Sequence, residues 1–388
     1  MEPLITLRDA ESRIFQSCRP LGEESIPLAH SIGRVLAAPV VADRPLPPFA
    51  RAMMDGVAFN SAKTRFPSQL QIAGLHAAGD SPPRALEPGE AWEIMTGAAV
   101  PADCDTVVPY EDLSDSFRLT APFTPGQSIH PMGLDAGAGE VLVARGTRVG
   151  PTEVAIAASV GNATLSVYRR PVISLITTGD EAIPVESKPE PWQIRRSNGP
   201  MLEAILVRLG MAPAHHLHVN DDFSAVSETI RQALVQSDVL IICGGISKGR
   251  KDHIRASLES LLGSPAFHGV EQRPGKPLAF WPGPPQVFAL PGNPVSVLAT
   301  FTRYVLPALM KLAGAPMIPL TVSVAGVTPL PRFSWLLPVA VGEDGHLVVR
   351  APKNSGDYVS VAGSVGIIEV PPAPEYTSGQ NFAFYPLS

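Results

Sequence analysis

The chain has 388 residues, more than one hydrophobic core usually organises, so two to four units are expected, each burying a core of its own. Apolar residues make up 45% and charged ones 17%, which excludes a disordered chain, and 42 Pro with 33 Gly favour turns and short strands over long helices. The formal charge of -6 is dispersed with no Lys/Arg block, which argues against nucleic acid as a partner and leaves a small anion open.

The start, MEPLITLRDAESRI, lacks a basic stretch followed by an apolar one, and no apolar run approaches the roughly 20 residues that span a bilayer. Cys18, Cys104 and Cys243 are isolated, with neither CxxC nor zinc-ligand spacing. Both features predict an untargeted cytoplasmic protein without a membrane partner. Leu7, Ala10, Ile14 and Phe15 recur at helical spacing and predict a helix over 7–18; Pro151 followed by TEVAIAASVG predicts another over 151–160. Between them, residues 44–137 are rich in Pro and Gly with brief apolar runs (GVAF, EIMTG, DTVVPY) and read as a β-rich unit. That unit looks inserted into a discontinuous helical part, 1–43 and 138–170.

From Pro171 the pattern changes. VISLI (172–176), VLIIC (239–243) and QVFAL (286–290) are apolar runs typical of strands buried on both faces. Helices are predicted between them. One carries Met201, Leu202, Ile205, Leu206 and Leu209 on one face, capped by Ser197 or Asn198 and closed by Gly210. A second covers 224–236. A third, capped by Asp252, turns Ile254, Leu258, Leu261 and Leu262 inward, and a fourth opens at Pro294 and carries Leu298, Phe301 and Val305. Alternating strands and helices imply a parallel α/β sheet over 171–314 with right-handed crossovers. Beyond Gly314, runs such as LTVSVAG, HLVVRA and GIIEV suggest a small β-barrel or sandwich over 315–388.

In such a sheet the ligand crevice lies outside the carboxyl ends of the strands, so the loops TTGDEA (177–182), GGISKGRKD (244–252) and LPGNP (290–294) should converge, with RPGKP (273–277) nearby. Glycines such as Gly244 and Gly245 let backbone N–H groups approach an anion, and helix N-termini add positive dipole, which suits a phosphate or an oxyanion such as molybdate. Asp180 and Glu181 stand where Mg²⁺ bridging phosphates would be held, and Lys276 and Arg273 would neutralise the anion. LPGNP is first of all a rigid strand-to-helix turn with Pro294 at the first helical position. Gly245, Ser247 and Gly249 also spell GxSxG, the serine-hydrolase elbow, but Lys248, Gly249 and Arg250 intervene before the cap at Asp252 and no HGG-type segment accompanies them. A Walker A motif fails at Arg250 and Lys251. In the inserted unit, Asp55 (ARAMMDGVA) and Thr96 (EIMTGAAVP) each precede a glycine and admit a plain turn role.

The order PxxPPFARAMMDG, IMTGAAVPADCDTVV, TTGDE, SN, GGISKGxxD, RPGKP and LPGNP resembles the MoeA-type molybdopterin molybdenumtransferases and the E domain of gephyrin, over essentially the whole chain. The resemblance implies a helical linking domain, an inserted β-rich domain, a molybdopterin-binding α/β domain and a C-terminal β domain, in a homodimer whose active site combines the α/β domain of one subunit with the inserted domain of the other. It implies that molybdate and adenylylated molybdopterin are substrates, that Mg²⁺-dependent cleavage releases AMP, and that a molybdopterin adenylyltransferase is a partner. Asp55, Thr96, Asp135, Asp180, Glu181, Asp221 or Asp222, Ser247, Asp252, Lys276, Pro291 and Pro294 match functional positions. Of these, Asp222, Asp252 and Glu181 are the expected metal and water ligands, with Lys276 and Ser247 on the oxyanion or pterin.

Several positions depart from the family pattern. Arg51 and Ala52 replace a polar Asn-Ser pair, Leu134 replaces one carboxylate, Arg196 replaces an acid ahead of Ser197 and Asn198, Arg273 replaces a lysine, and Leu337 stands where an arginine is common. An acid-to-arginine change shifts local charge by about two units, on the order of a few kcal/mol at several ångströms. A second reading therefore stays open: a paralogue that binds pterin or scaffolds a partner without turnover.

Overall fold

A computed structural model describes residues 3–246, 253–315, 319–375 and 380–387. Its centre is a six-stranded sheet ordered His215–Val219, Ile173–Thr178, Val239–Cys243, Gln286–Leu290, Ala279–Trp281, Phe267–His268. The first four strands are parallel, in registers such as Ser174 with His215, Leu175 with Ile241 and Ile241 with Phe288. The last two are antiparallel, so the sheet is mixed rather than wholly parallel. Here the chain returns by short turns with no room for a crossover helix.

Alternation along the buried strands feeds two cores. Val239, Ile241 and Cys243 face one core and Leu240 and Ile242 the other. The helices Phe223–Gln236 and His253–Leu262 cover the second face through Val226, Ile230, Ile254 and Leu258. Leu262, expected inward, is 40% exposed at the helix end. The first face is covered by Asn198–Arg208, whose Leu202 and Leu206 are fully buried, and by a continuous helical run Pro294–Leu312 with a π-turn at Phe301–Val305. That run is 19 residues long and apolar enough to cross a bilayer by length and composition, but 89% of its apolar window is buried inside the protein.

The N-terminal helix Leu7–Ser17 forms where its spacing places it, with Thr6 accepting from the Asp9 N–H as its cap. Its Leu7, Ala10 and Ile14 join the core of the central sheet. With that helix in the central core, the rest of the expected helical linking part is two strand pairs and one helix: Glu23–Pro27 pairs with Thr164–Tyr168, Val40–Val41 with Val141–Val143, and the helix Pro151–Ser159 packs on them around Leu36, Val149 and Val167. Within 44–137, Gly56–Phe59 lies between Glu90–Ile94 and Thr106–Pro109, with Gln71–His76 at the edge. Gly56 is forced by this closeness, since a Cβ there would lie 2.0 Å from the Val108 carbonyl oxygen.

The C-terminal strands Ser334–Val341, Gly366–Val370, Asn381–Pro386 and Leu320–Ser323 form a sheet that also recruits Gln272–Arg273. Its pairing is an open path whose ends do not meet among the described residues, which differs from the expected barrel. Closure is unnecessary because Leu336, Ile367 and Tyr385 bury one face in the central core while Leu337, Ile368 and Phe384 fill the other. Buried Arg303 clamps the units together, bonding Glu11 at 2.9 Å and Glu369 at 2.7 Å.

Candidate active site

Strand Ile173–Thr178 has the second strand in sequence on one side and the third on the other, so the winding reverses there and leaves a crevice beyond its carboxyl end. The crevice is filled by the predicted turns. A cleft of about 380 Å³ is lined by residues from Thr177–Glu181, Arg195–Asn198, Cys243–Gly245 and Gly292–Pro294. A second, of about 610 Å³, runs over Gly245, Arg273, Lys276, Pro291 and Asn293 to Trp335 and Asn354 of the C-terminal segment. Gly245, Gly292 and Asn293 line both, so the two abut.

Gly244 has a steric reason to be there, and Gly292 lies against it at ordinary contact distance. Gly244 has φ +104, and a Cβ on it would lie 2.8 Å from the Thr178 hydroxyl oxygen; one on Gly292 would lie 3.6 Å from the Gly244 Cα. Three backbones therefore approach without side chains between them, as anion-cradling turns require. In RPGKP, Gly275 has φ +87 with Thr300 where a Cβ would go, and its carbonyl accepts from buried Gln272 at 3.0 Å. Tyr304 in turn donates to Gln272 at 2.5 Å, so the core fixes the turn that carries exposed Lys276 and Arg273. Both cations, with Arg332, gather around Phe333, at 5.9, 5.4 and 5.5 Å from its ring centre. No sequence motif pointed to Arg332, Phe333 or Trp335 as neighbours of this turn.

Exposed Glu181 and half-buried Asp221 line the first cleft, and the Asp221 backbone N–H donates to Oδ1 of neighbouring exposed Asp180 at 3.0 Å. Burial, then repulsion from Asp180, raises the Asp221 carboxyl above the usual range. Asp222, the residue expected to hold metal and water, is instead the N-cap of Phe223–Gln236: its Oδ1 accepts from the Ala225 N–H at 2.8 Å. The residue lining the cleft is Asp221. The cap signature was visible in DDFSAVSET, and the extended conformation of Asp222 turns its carboxyl to the helix.

His218 was not singled out from the sequence. Its Nε2 donates to the Gly179 carbonyl at 3.2 Å, so in the neutral ring Nδ1 accepts from the Thr177 hydroxyl at 2.9 Å. Burial and then Arg196 push its pKa down, keeping it neutral as a support for the TTGDEA turn. Arg196 donates to the Ala182 carbonyl at 3.0 Å. Ser197 sits at the N-cap position of Asn198–Arg208 without a side-chain cap bond, and Asn198 Nδ2 reaches the Gly292 carbonyl instead.

Asp55 and Thr96 meet at a separate place. Thr96 donates to Asp55 Oδ1 from its N–H at 2.6 Å and its hydroxyl at 2.7 Å, which holds the exposed carboxyl below the ordinary carboxylate range. Asp135 pairs with His130 at 2.8 Å, and His130 lies opposite Arg51. Phe49, Met53, Met54, Met132 and Leu134 are exposed around these groups. Neither cleft is lined by Asp55, Thr96 or Asp135. Ser247 and Asp252 lie outside the described residues.

Residues 5–161 match the MoeA N-terminal region (domain I and II), and residues 174–311 match the probable molybdopterin binding domain. A molybdopterin molybdenumtransferase of Synechocystis sp. is 33% identical over 395 residues, covering 97% of this chain and 98% of that protein. The chain belongs to the MoeA family. A family member of the same name from Nostoc sp. is 35% identical over 80% of this chain and 75% of its own length. In three dimensions, a MoeA protein of Pyrococcus horikoshii matches all of both chains with a TM-score of 0.83 at 28% identity.

Proposed function

We propose that the paired clefts at the reversal point of the sheet are where this chain inserts molybdate into adenylylated molybdopterin, with release of AMP. As a MoeA-family transferase the chain acts in molybdenum cofactor biosynthesis. The observation that carries the site is the junction of the two clefts at Gly245, Gly292 and Asn293, with carboxylates at one end and Lys276 and Arg273 at the other. A long substrate fits that polarity, with its phosphoanhydride toward the carboxylates and their cation, the oxyanion to be inserted toward the basic turn, and the N–H groups of Gly244 and Gly245 along its path. Pro291 and Pro294 hold the LPGNP turn rigid beneath it.

The residues also fit Mg²⁺. Crowding among Asp180, Glu181 and Asp221 is relieved by a hard cation, although among the described residues no three His, Cys, Asp or Glu side chains converge tightly enough to hold one by themselves. That suits an ion which keeps waters and takes phosphate oxygens from its substrate. When bound it supplies neutralisation of the charge that develops as a phosphoanhydride breaks. Asp180, Glu181 and Asp221 would hold it, Asp252 remaining a candidate by resemblance.

The reading includes a cytoplasmic homodimer in which the partner copy brings Asp55, Thr96 and Asp135 to the cleft. It is supported by the exposed apolar surround of that trio and by its absence from the walls of both clefts. The division into linking, inserted, α/β and C-terminal domains, and handover from a molybdopterin adenylyltransferase, belong to the same proposal. The test is direct: purified protein with adenylylated molybdopterin, Mg²⁺ and molybdate should give AMP and a cofactor that activates an apo-molybdoenzyme. Pterin binding without AMP above the blank would overturn it in favour of a binding protein.

A further inference from the structure

A second concentration of positive charge lies at the opposite end of the central sheet. Arg170 precedes strand Ile173–Thr178, and Met211 precedes strand His215–Val219, so this place is at the amino ends of the strands, away from the cleft. A notch of about 10 Å³ is bounded there by Arg34, Arg148 and Arg170, with Tyr168, Met211 and Met310 among its walls. That volume is about one water-sized sphere, or one oxygen atom of a larger anion.

The three guanidinium groups are short of partners. Arg34 is only 8% exposed; it reaches Glu24 and donates to the Tyr168 carbonyl at 2.8 Å, yet its Nε is buried with no acceptor. A Cβ placed on Gly33 would lie 3.7 Å from Arg170 Nη2 and 3.8 Å from Arg148 Nη2, so both side chains flank one point. Gly210, at φ +69, leaves the space that the Arg170 guanidinium occupies, since a Cβ there would meet three of its atoms at 2.7 to 2.8 Å. Among the described residues neither Arg148 nor Arg170 has a side-chain hydrogen bond or ion pair. Burial, then repulsion from Arg34 and Arg148, lowers the proton affinity of Arg170, with Glu24 opposing.

Glu24 offsets one of the three charges. Helices end nearby at Leu209 and Ala313, and each carboxyl end contributes about half a negative charge. Roughly one positive charge remains uncompensated. Leaving that in a half-buried place is costly unless an anion supplies the balance.

We propose that this notch binds a small inorganic oxyanion, phosphate or sulfate, inserting one oxygen between Arg34, Arg148 and Arg170. The occupant would tie residues 33–35, 148 and 168–170 to the body of the sheet, whose helices supply the apolar wall. The site is independent of the cleft, so AMP release by the enzyme does not bear on it.

The experiment uses the full chain, titrated with sodium phosphate or sodium sulfate while sodium chloride, which has no oxygen to insert, holds ionic strength constant. Calorimetry and the thermal midpoint should both saturate for the native protein. Arg148→Ala, at an exposed position, should keep the fold and weaken binding at least tenfold. Without oxyanion that variant should melt no lower than the native protein, and at saturating phosphate it should melt lower. A response that grows only with total salt, or that is the same in Arg148→Ala and Arg170→Lys as in the native protein, overturns the proposal.

Discussion

Asn198 and Gly292 are 94 residues apart, and Asn198 Nδ2 donates a 2.7 Å hydrogen bond to the Gly292 carbonyl. The bond joins the start of one core helix to the LPGNP turn, at the boundary between the two clefts. Asn198 Oδ1 is buried without a donor. An unmet acceptor of that kind costs on the order of 1–3 kcal/mol, which a substrate N–H at the cleft would recover. Asn198→Ala should therefore raise KM for the pterin substrate about tenfold while changing stability by less than about 1 kcal/mol, because the lost bond to Gly292 and the removed orphan acceptor offset each other. Steady-state kinetics and a denaturant midpoint check both. An unchanged KM would show that the orphaned oxygen does not face the substrate.

Two neighbouring acids should separate cleanly. Asp222 caps a helix, so Asp222→Ala should cost about 1 kcal/mol in stability and leave AMP release within twofold at saturating substrate. Asp221 lines the cleft under repulsion from Asp180, so Asp221→Asn should keep or raise the melting temperature while AMP release falls about a hundredfold. The reverse pattern would restore Asp222 to the role its sequence position suggested.

The carboxyl of Asp55 takes both Thr96 donors on one oxygen, leaving Oδ2 without a Thr96 contact. Thr96→Val keeps the N–H and deletes the hydroxyl, so the Asp55 carboxyl should move up toward the ordinary carboxylate value, readable by carbon NMR titration. If Asp55 serves the reaction from the partner copy, Asp55→Asn should reduce AMP release about a hundredfold without altering the fold. Mixing Asp55→Asn with Asp221→Asn protein should then regain part of the activity, because one hybrid cleft has both acids. No recovery in exchanged dimers would place Asp55 in the cleft of its own copy, and undiminished AMP release by Asp55→Asn alone would place it outside the reaction.

Much of this was legible in the residues. VLIIC and QVFAL are fully buried strands because both faces of the sheet are covered, and such runs carry that information themselves. The turns TTGDEA, GG and LPGNP converge because strand order forces their ends together. What was hidden depends on contacts between distant segments. HHLHV has no strand-like apolar run, since its place at the sheet edge leaves Leu217 exposed and His218 is used through its hydrogen bonds. Helix Leu7–Ser17 was correctly spaced, but spacing does not say which core receives it. Asp221 and Asp222 differ only in which one the backbone turns toward the helix, a choice settled by the chain's path out of Val219.

Acid sensitivity should reside partly in the entry to the central strands. Arg169 grips Asp238 through two bonds, 2.7 and 3.0 Å, and Asp238 also accepts from the Val172 N–H at 2.7 Å. The guanidinium, acting against burial and helped by that N–H, holds the Asp238 carboxyl below its ordinary range. A depressed folded-state pKa contributes stability that is fully present above the unfolded value, about 3.9, and is lost as pH falls through the folded value. The side chains are 38% and 25% exposed, so solvent screening limits the contribution to about 1 kcal/mol. Asp238→Asn should accordingly be less stable than the native protein at pH 7. The gap should close as the buffer is taken below pH 4, where the native carboxyl gains its proton. Melting curves across that range decide it: a gap independent of pH would mean that Asp238 contributes through the shape of its hydrogen bonds and not through its charge.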